Sequence, residues 1–161
     1  MKENERLEII RTSVLSLVNE AQDHIKSKRG KDFRKNISPI TFAYEHRQVV
    51  INIHRHAGLT AIAAELFEAN EESILLLPTM VQKNYFLNHY SHLAPLASTR
   101  IFLFSDLMRE NFIPRIHGVL TNVPFIIVDN ANTMPPEEKD YILQLFTTYT
   151  AFKDAILIQL G

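Results

Sequence analysis

The sequence has no cysteine, no tryptophan and only 4 glycines among 161 residues. Without cysteine there is no disulfide scaffold, no thiol catalysis and no Cys-containing zinc site, and the composition fits a reducing compartment. No apolar run approaches the ~18 residues that a membrane span requires. The segment Met1 to Glu8 is charged and lacks the apolar core of a signal peptide. These absences predict a cytoplasmic protein (host cytoplasm, if the source is viral) with no membrane partner. Charge of one sign is missing too. Lys plus Arg number 17 against 18 Asp plus Glu, a formal net charge of −1, so no global positive field marks a nucleic-acid binder. Repeats and low-complexity stretches are also missing.

What is present is apolar material, 46% of residues against 22% charged. That is the profile of one compact domain, able at this length to hide about 70% of its unfolded surface. Residues 5 to 27 set Leu7, Ile10, Val14, Leu17, Val18, Ala21 and Ile25 at spacings of three and four, which predicts an amphipathic helix. From Lys26 to Lys35 six of ten residues are basic, namely Lys26, Lys28, Arg29, Lys31, Arg34 and Lys35, with Gly30 as a breaker. This segment reads as a basic loop: a solvated linker, or a candidate contact for nucleic-acid phosphates.

After Pro39 short apolar runs alternate with helical patterns. Strands are expected at Gln48–Ile53, Ser73–Leu77, Arg100–Phe104, Phe125–Val128 and Ala155–Leu160. Helices are expected over Gly58–Asn70, from about Thr79 to Leu93, and from Pro135–Pro136 to about Tyr149, with Ser105 capping a short helix through Asn111. Nearly continuous apolar strands alternating with crossover helices predict an α/β fold built on a mostly parallel five-stranded sheet flanked by helices. The organisation expected is an N-terminal helix and basic loop over 1–36 and an α/β core over 37–161. Ligands of such sheets bind at the carboxyl ends of the strands.

Two such ends carry candidate chemistry. Ile53-His54-Arg55-His56-Ala57-Gly58-Leu59-Thr60 lies between a strand and a helix, where a phosphate-binding loop is credible. A working G-x-x-x-x-G-K-[ST] loop needs glycines, a Lys for the β and γ phosphates, and a hydroxyl for Mg²⁺. Gly58 and Thr60 fit, whereas Ile53 replaces the first glycine and Leu59 the Lys. Some 70 residues on, Phe125-Ile126-Ile127-Val128-Asp129-Asn130-Ala131 is an apolar strand ending in a carboxylate, with Asn130 where a water-activating Glu would stand. An amide cannot accept that proton.

On these residues the chain resembles a degenerate P-loop NTPase core, RecA-like in fold, of the kind found in helicases and large phage terminases. The resemblance runs from about Gln48 to Gly161. Arg55-His56-Ala57-Gly58-Leu59-Thr60 is similar to the R-x-x-G-K-[ST] loop of terminases, and Leu75-Leu76-Leu77-Pro78-Thr79 to the strand exit that contacts nucleic acid in helicases. It implies a degenerate nucleotide site at Arg55, Gly58, Thr60 and Asp129, with Asp129 toward the metal and Gln159-Leu160-Gly161 as a coupling segment. The losses at Leu59 and Asn130 strike binding and hydrolysis separately. No cofactor is therefore expected, and Mg-ATP no more tightly than about millimolar. The function expected is a non-catalytic relative of a DNA-translocating motor, acting through a partner. A protein is favoured, docking on helix-face residues such as Leu7, Val14 and Leu17, with nucleic acid on the basic segment as the other choice. The alternative is a weak ATPase domain of a packaging or helicase assembly, completed in trans by another subunit.

Other constellations carry less. His54 and His56 fall in the loop, and His89 and His92 are spaced as neighbours on one predicted helix face, without a carboxylate at useful spacing for a metal. Ser91, Ser98 and Ser105 lack a nucleophile elbow. Tyr85, Phe86 and Tyr90 read as core packing before base stacking.

Overall fold

The computed structural model describes residues 2–53, 58–110, 112–116 and 118–161. In chain order the elements are α1 (Glu3–Lys26), α2 (Lys28–Asn36), α3 (Pro39–His46), β1 (Gln48–Ile51), α4 (Leu59–Ala69), β2 (Ile74–Leu77), α5 (Met80–His89), β3 (Ile101–Leu103), α6 (Phe112–Ile116), β4 (Phe125–Asp129), α7 (Pro136–Thr148) and β5 (Ile156–Leu160). The five strands form one sheet in the order β1-β5-β4-β2-β3, and every pairing is parallel. β5 therefore lies between β1 and β4, with Asp129 level with Leu160.

The apolar runs are continuous because both faces of the sheet are covered. In β2, Leu75 and Leu77 face one core with Ile127, Ile158 and the α1 and α4 residues Val14, Val18, Ile62 and Phe67. Ile74 and Leu76 face the other with Phe102, Ile126, Val128 and the α7 residues Ile142, Leu143 and Phe146. Each of these buried aliphatic or aromatic side chains contributes about 1.5–3 kcal/mol of transfer free energy. No helix among the described residues is long and apolar enough to cross a membrane.

Several expectations are corrected. The basic segment is not a loop: α1 stops at Ser27, whose hydroxyl accepts the Gly30 N–H at 3.0 Å and starts α2. Gly30 is not a breaker there. A Cβ on it would lie 2.0 Å from the His24 carbonyl oxygen, so glycine is what lets α2 fold back on α1. α3 is a further element beyond the expected ones, started by ordinary signals: Ser38 accepts from the Thr41 N–H and Pro39 stands in the first turn. Ser105 caps nothing. It sits inside a single 3-10 turn, Phe104–Asp106, where Asp106 accepts the Leu103 N–H instead. The helix after Thr79 ends at His89 and gives way to a 3-10 turn over Ser91–Leu96. His89 and His92 thus belong to different elements, and His92 Nε2 contacts Glu68 Oε1 at 2.5 Å. Among the described residues no group of three potential ligands gathers into a metal site.

Candidate functional site

The carboxyl edge of the sheet carries a cavity of about 590 Å³. Its floor and one wall come from the two motifs singled out in the sequence. Gly58 leads into α4 with φ +73°, a left-handed conformation that suits glycine, and the chain enters the helix without a side-chain cap. Gly58, Leu59 and Thr60 line the cavity at this helix start, a kind of position that favours anions. A Cβ on Gly58 would come within 2.7 Å of Leu7 Cδ2, so α1 packs directly behind this turn.

Thr60 Oγ1 donates to Asp129 Oδ2 at 2.9 Å. The two residues stand 69 positions apart in the chain, and the packing of α4 across β5 and β4 brings them together. Asp129 is 8% exposed and also accepts its neighbour's backbone N–H, from Asn130, at 3.1 Å. Burial raises the Asp129 carboxyl above its ordinary value, with the Thr60 and Asn130 hydrogen bonds acting in the opposite direction. Asn130 itself is left-handed, φ +56°, a region that Asn tolerates better than most residues. Gly161 closes the third side: its N–H donates to Ile51 O and its carbonyl accepts from Ile53 N.

Of the sequence-derived site residues, Gly58, Thr60 and Asp129 line this one cavity, together with Leu59 and Asn130. Arg55, His54 and His56 lie outside the described residues. Gln159 is not at the cavity: it is buried and donates to Gln48 Oε1 at 2.8 Å. The wall facing the Thr60–Asp129 pair belongs to α5, where Val81, Gln82, Tyr85 and Phe86 line the space. The aromatic trio divides. Phe86 is buried and Tyr90 packs on it with ring centroids 4.8 Å apart, while Tyr85 is 73% exposed. Tyr85 breaks the core-packing expectation because α5 touches the sheet only along its Phe86 side. Met80 and Val81 share its exposure.

The helix face proposed for a protein partner is largely used by the molecule itself. Val14 is 1% exposed within the core under the sheet and Leu7 backs Gly58, which leaves Leu17 and Ile9 outward. Among the basic residues, Arg34 is held against the body of the protein by Asp154, at 2.9 Å, and by the Lys153 carbonyl.

No protein-family model, curated protein or solved structure matches this chain.

Proposed function

We propose that the chain is a P-loop-type module that has lost turnover and works by holding a partner at the carboxyl edge of its sheet. The observation that carries this reading is the Thr60–Asp129 hydrogen bond beside the left-handed Gly58 turn. A hydroxyl at a helix start bonded to a strand-end carboxylate is the pairing that would present Mg²⁺ to a phosphate in a P-loop enzyme. Here Leu59 offers no charge to that phosphate, and Asn130 offers no basic site to an attacking water. The family relationship rests on these residues and on the parallel sheet that brings them together.

A protein partner is preferred to nucleic acid at this edge. Met80, Val81 and Tyr85 are an apolar, half-exposed to exposed group on α5 beside the cavity. Basic side chains cluster on α2 instead, which leaves this rim without a phosphate-binding track among the described residues.

A second reading is favoured by the intact Thr60–Asp129 pair: a nucleotide held weakly by α4 amides, with the missing cation supplied by another subunit, as in packaging or helicase assemblies. Calorimetry with Mg-ATP separates the two. The non-catalytic reading expects no binding tighter than about millimolar, roughly −4 kcal/mol. Micromolar binding by the isolated chain, abolished by Thr60→Ala, would overturn it.

A further inference from the structure

A second cavity, of about 320 Å³, opens at the opposite, amino edge of the sheet, between α2, α3 and the end of α7. Arg34, Arg47 and Lys153 line it, with Thr150 on the rim. Arg47 is 2% exposed. Its guanidinium donates to Ala155 O at 2.9 Å, to Phe146 O at 3.3 Å and to the Phe152 carbonyl, and it lies over the Phe146 ring, 4.7 Å from its centroid. Those bonds tie the end of α7 to the turn before β5 and explain where the side chain sits. They do not explain its charge. A guanidinium has five N–H donors, so one on each terminal nitrogen is left without a protein acceptor among the described residues.

Among the described residues no carboxylate touches Arg47. The carboxylate whose charge acts on it is Asp154, which Arg34 already engages at 2.9 Å. Burial, followed by the repulsion of Arg34, pushes the Arg47 guanidinium down to about 10. Thr147 and Thr148 hydroxyls both donate to Gln144 O, so they offer no donor to the cavity. The local balance is three cations against one carboxylate, around an open space, with a buried charge held short of a counter-ion. Uncompensated buried charge is costly unless something anionic completes it.

From this geometry we infer that the amino-edge cavity binds a phosphate group, contacted by Arg34, Arg47 and Lys153. The inference is independent of the carboxyl-edge reading. The phosphate belongs either to a free phosphorylated ligand or to a nucleic-acid backbone; in the second case Lys31 and Lys35, on the exposed part of α2 beside Arg34, extend the track.

The test uses the full chain and pyrophosphate at low ionic strength, read by calorimetry and by thermal shift. Pyrophosphate is expected to bind and to raise the melting temperature. Lys153→Glu, on an exposed side chain, should weaken binding at least about tenfold, and Arg34→Gln should do likewise. Thr60→Ala should leave it unchanged. Absence of binding, or binding that Lys153→Glu leaves intact, would overturn the inference. So would binding lost in Thr60→Ala, because the anion would then sit at the other edge. A single-stranded oligonucleotide distinguishes the source. Competition with pyrophosphate that weakens in Lys31→Gln and Lys35→Gln supports a backbone phosphate, and lack of competition supports a free ligand in the same cavity.

Discussion

At the carboxyl edge of the sheet the polar groups of the described residues are neutral or acidic: Thr60, Gln82, Asp129, Asn130 and Asn132. At the amino edge the charged groups are cationic, Arg34, Arg47 and Lys153, among neutral Thr147, Thr148, Tyr149 and Thr150. The fold places the first set where parallel sheets take their ligands. The second set lies where the chain must only close helix ends and start strands. The contrast shows that a site's position in the fold and its charge need not coincide. Thr60 and Asp129 pair beside Leu59, which carries no charge, while Arg47 holds a buried charge in a place where a neutral donor of the same shape would satisfy the same carbonyls.

The largest expected effect breaks the amino edge. Arg47→Met leaves the Phe146, Phe152 and Ala155 carbonyls without their donor, and we expect a loss of about 3 kcal/mol. The midpoint of a urea titration measures it. A loss below about 1 kcal/mol would mean that water replaces the guanidinium and that the charge is dispensable.

The next variant transfers a cation to the carboxyl edge. Leu59→Lys should tighten Mg-ATP binding by about ten- to a hundredfold, the worth of one charge-assisted phosphate contact, as read by calorimetry. Adding Asn130→Glu should give no further affinity, since Glu must adopt the left-handed backbone that Asn130 occupies at φ +56°, at a cost of about 1 kcal/mol. If Leu59→Lys changes nothing, the Gly58 turn is not shaped for phosphate.

A smaller effect tests that turn. Gly58→Ala keeps the sequence of α4 but forces a Cβ onto φ +73° and toward Leu7. A destabilisation of about 1 kcal/mol is expected by thermal denaturation, with the movable Leu7 side chain absorbing the contact.

The smallest effect is on pH dependence. Burial raises the Asp129 carboxyl, so the folded state holds that proton more tightly than the unfolded chain does. Stability from this group therefore falls as pH rises from the ordinary carboxyl range through the raised value. Asp129→Asn removes this dependence, so the variant should melt no lower than the wild type at neutral pH, with the difference disappearing on acidification. Melting curves across that range decide it; a variant less stable at neutral pH would show that the Thr60 bond outweighs burial.

The strands were legible in the sequence because each is an apolar run bounded by polar or turn residues, and Phe125 to Asp129 could be read almost to the residue. The pairing of Thr60 with Asp129 was suggested only by the resemblance, since three crossovers separate β1 from β4 in the chain. The Lys26 to Lys35 segment was not legible. Six cations and a glycine look like a loop, and the reason glycine is needed inside this helix is tertiary: the space a Cβ on Gly30 would need is filled by the His24 carbonyl only once α2 lies against α1. Arg47 was invisible for a similar reason. It stands among polar neighbours before β1, and its three acceptors come from residues about a hundred positions later. The long-range character of a hydrogen bond leaves no periodicity to read.

The position of β5 between β1 and β4 has a consequence for how the chain reaches this state. Residues 48–51 pair only with residues 157–160, so during synthesis β1 emerges from the ribosome without a partner and waits for more than half the chain. β4 and β2 can join first, through the nearer contacts of Ile74 with Ile126, and β5 must then pair with β4 on one side and β1 on the other. Pairings this far apart in sequence close slowly. Until they close, the apolar sides of β1 and β4 stand open to other chains, so the step that builds the carboxyl-edge cavity is also the step at which an unfinished molecule is most prone to aggregate.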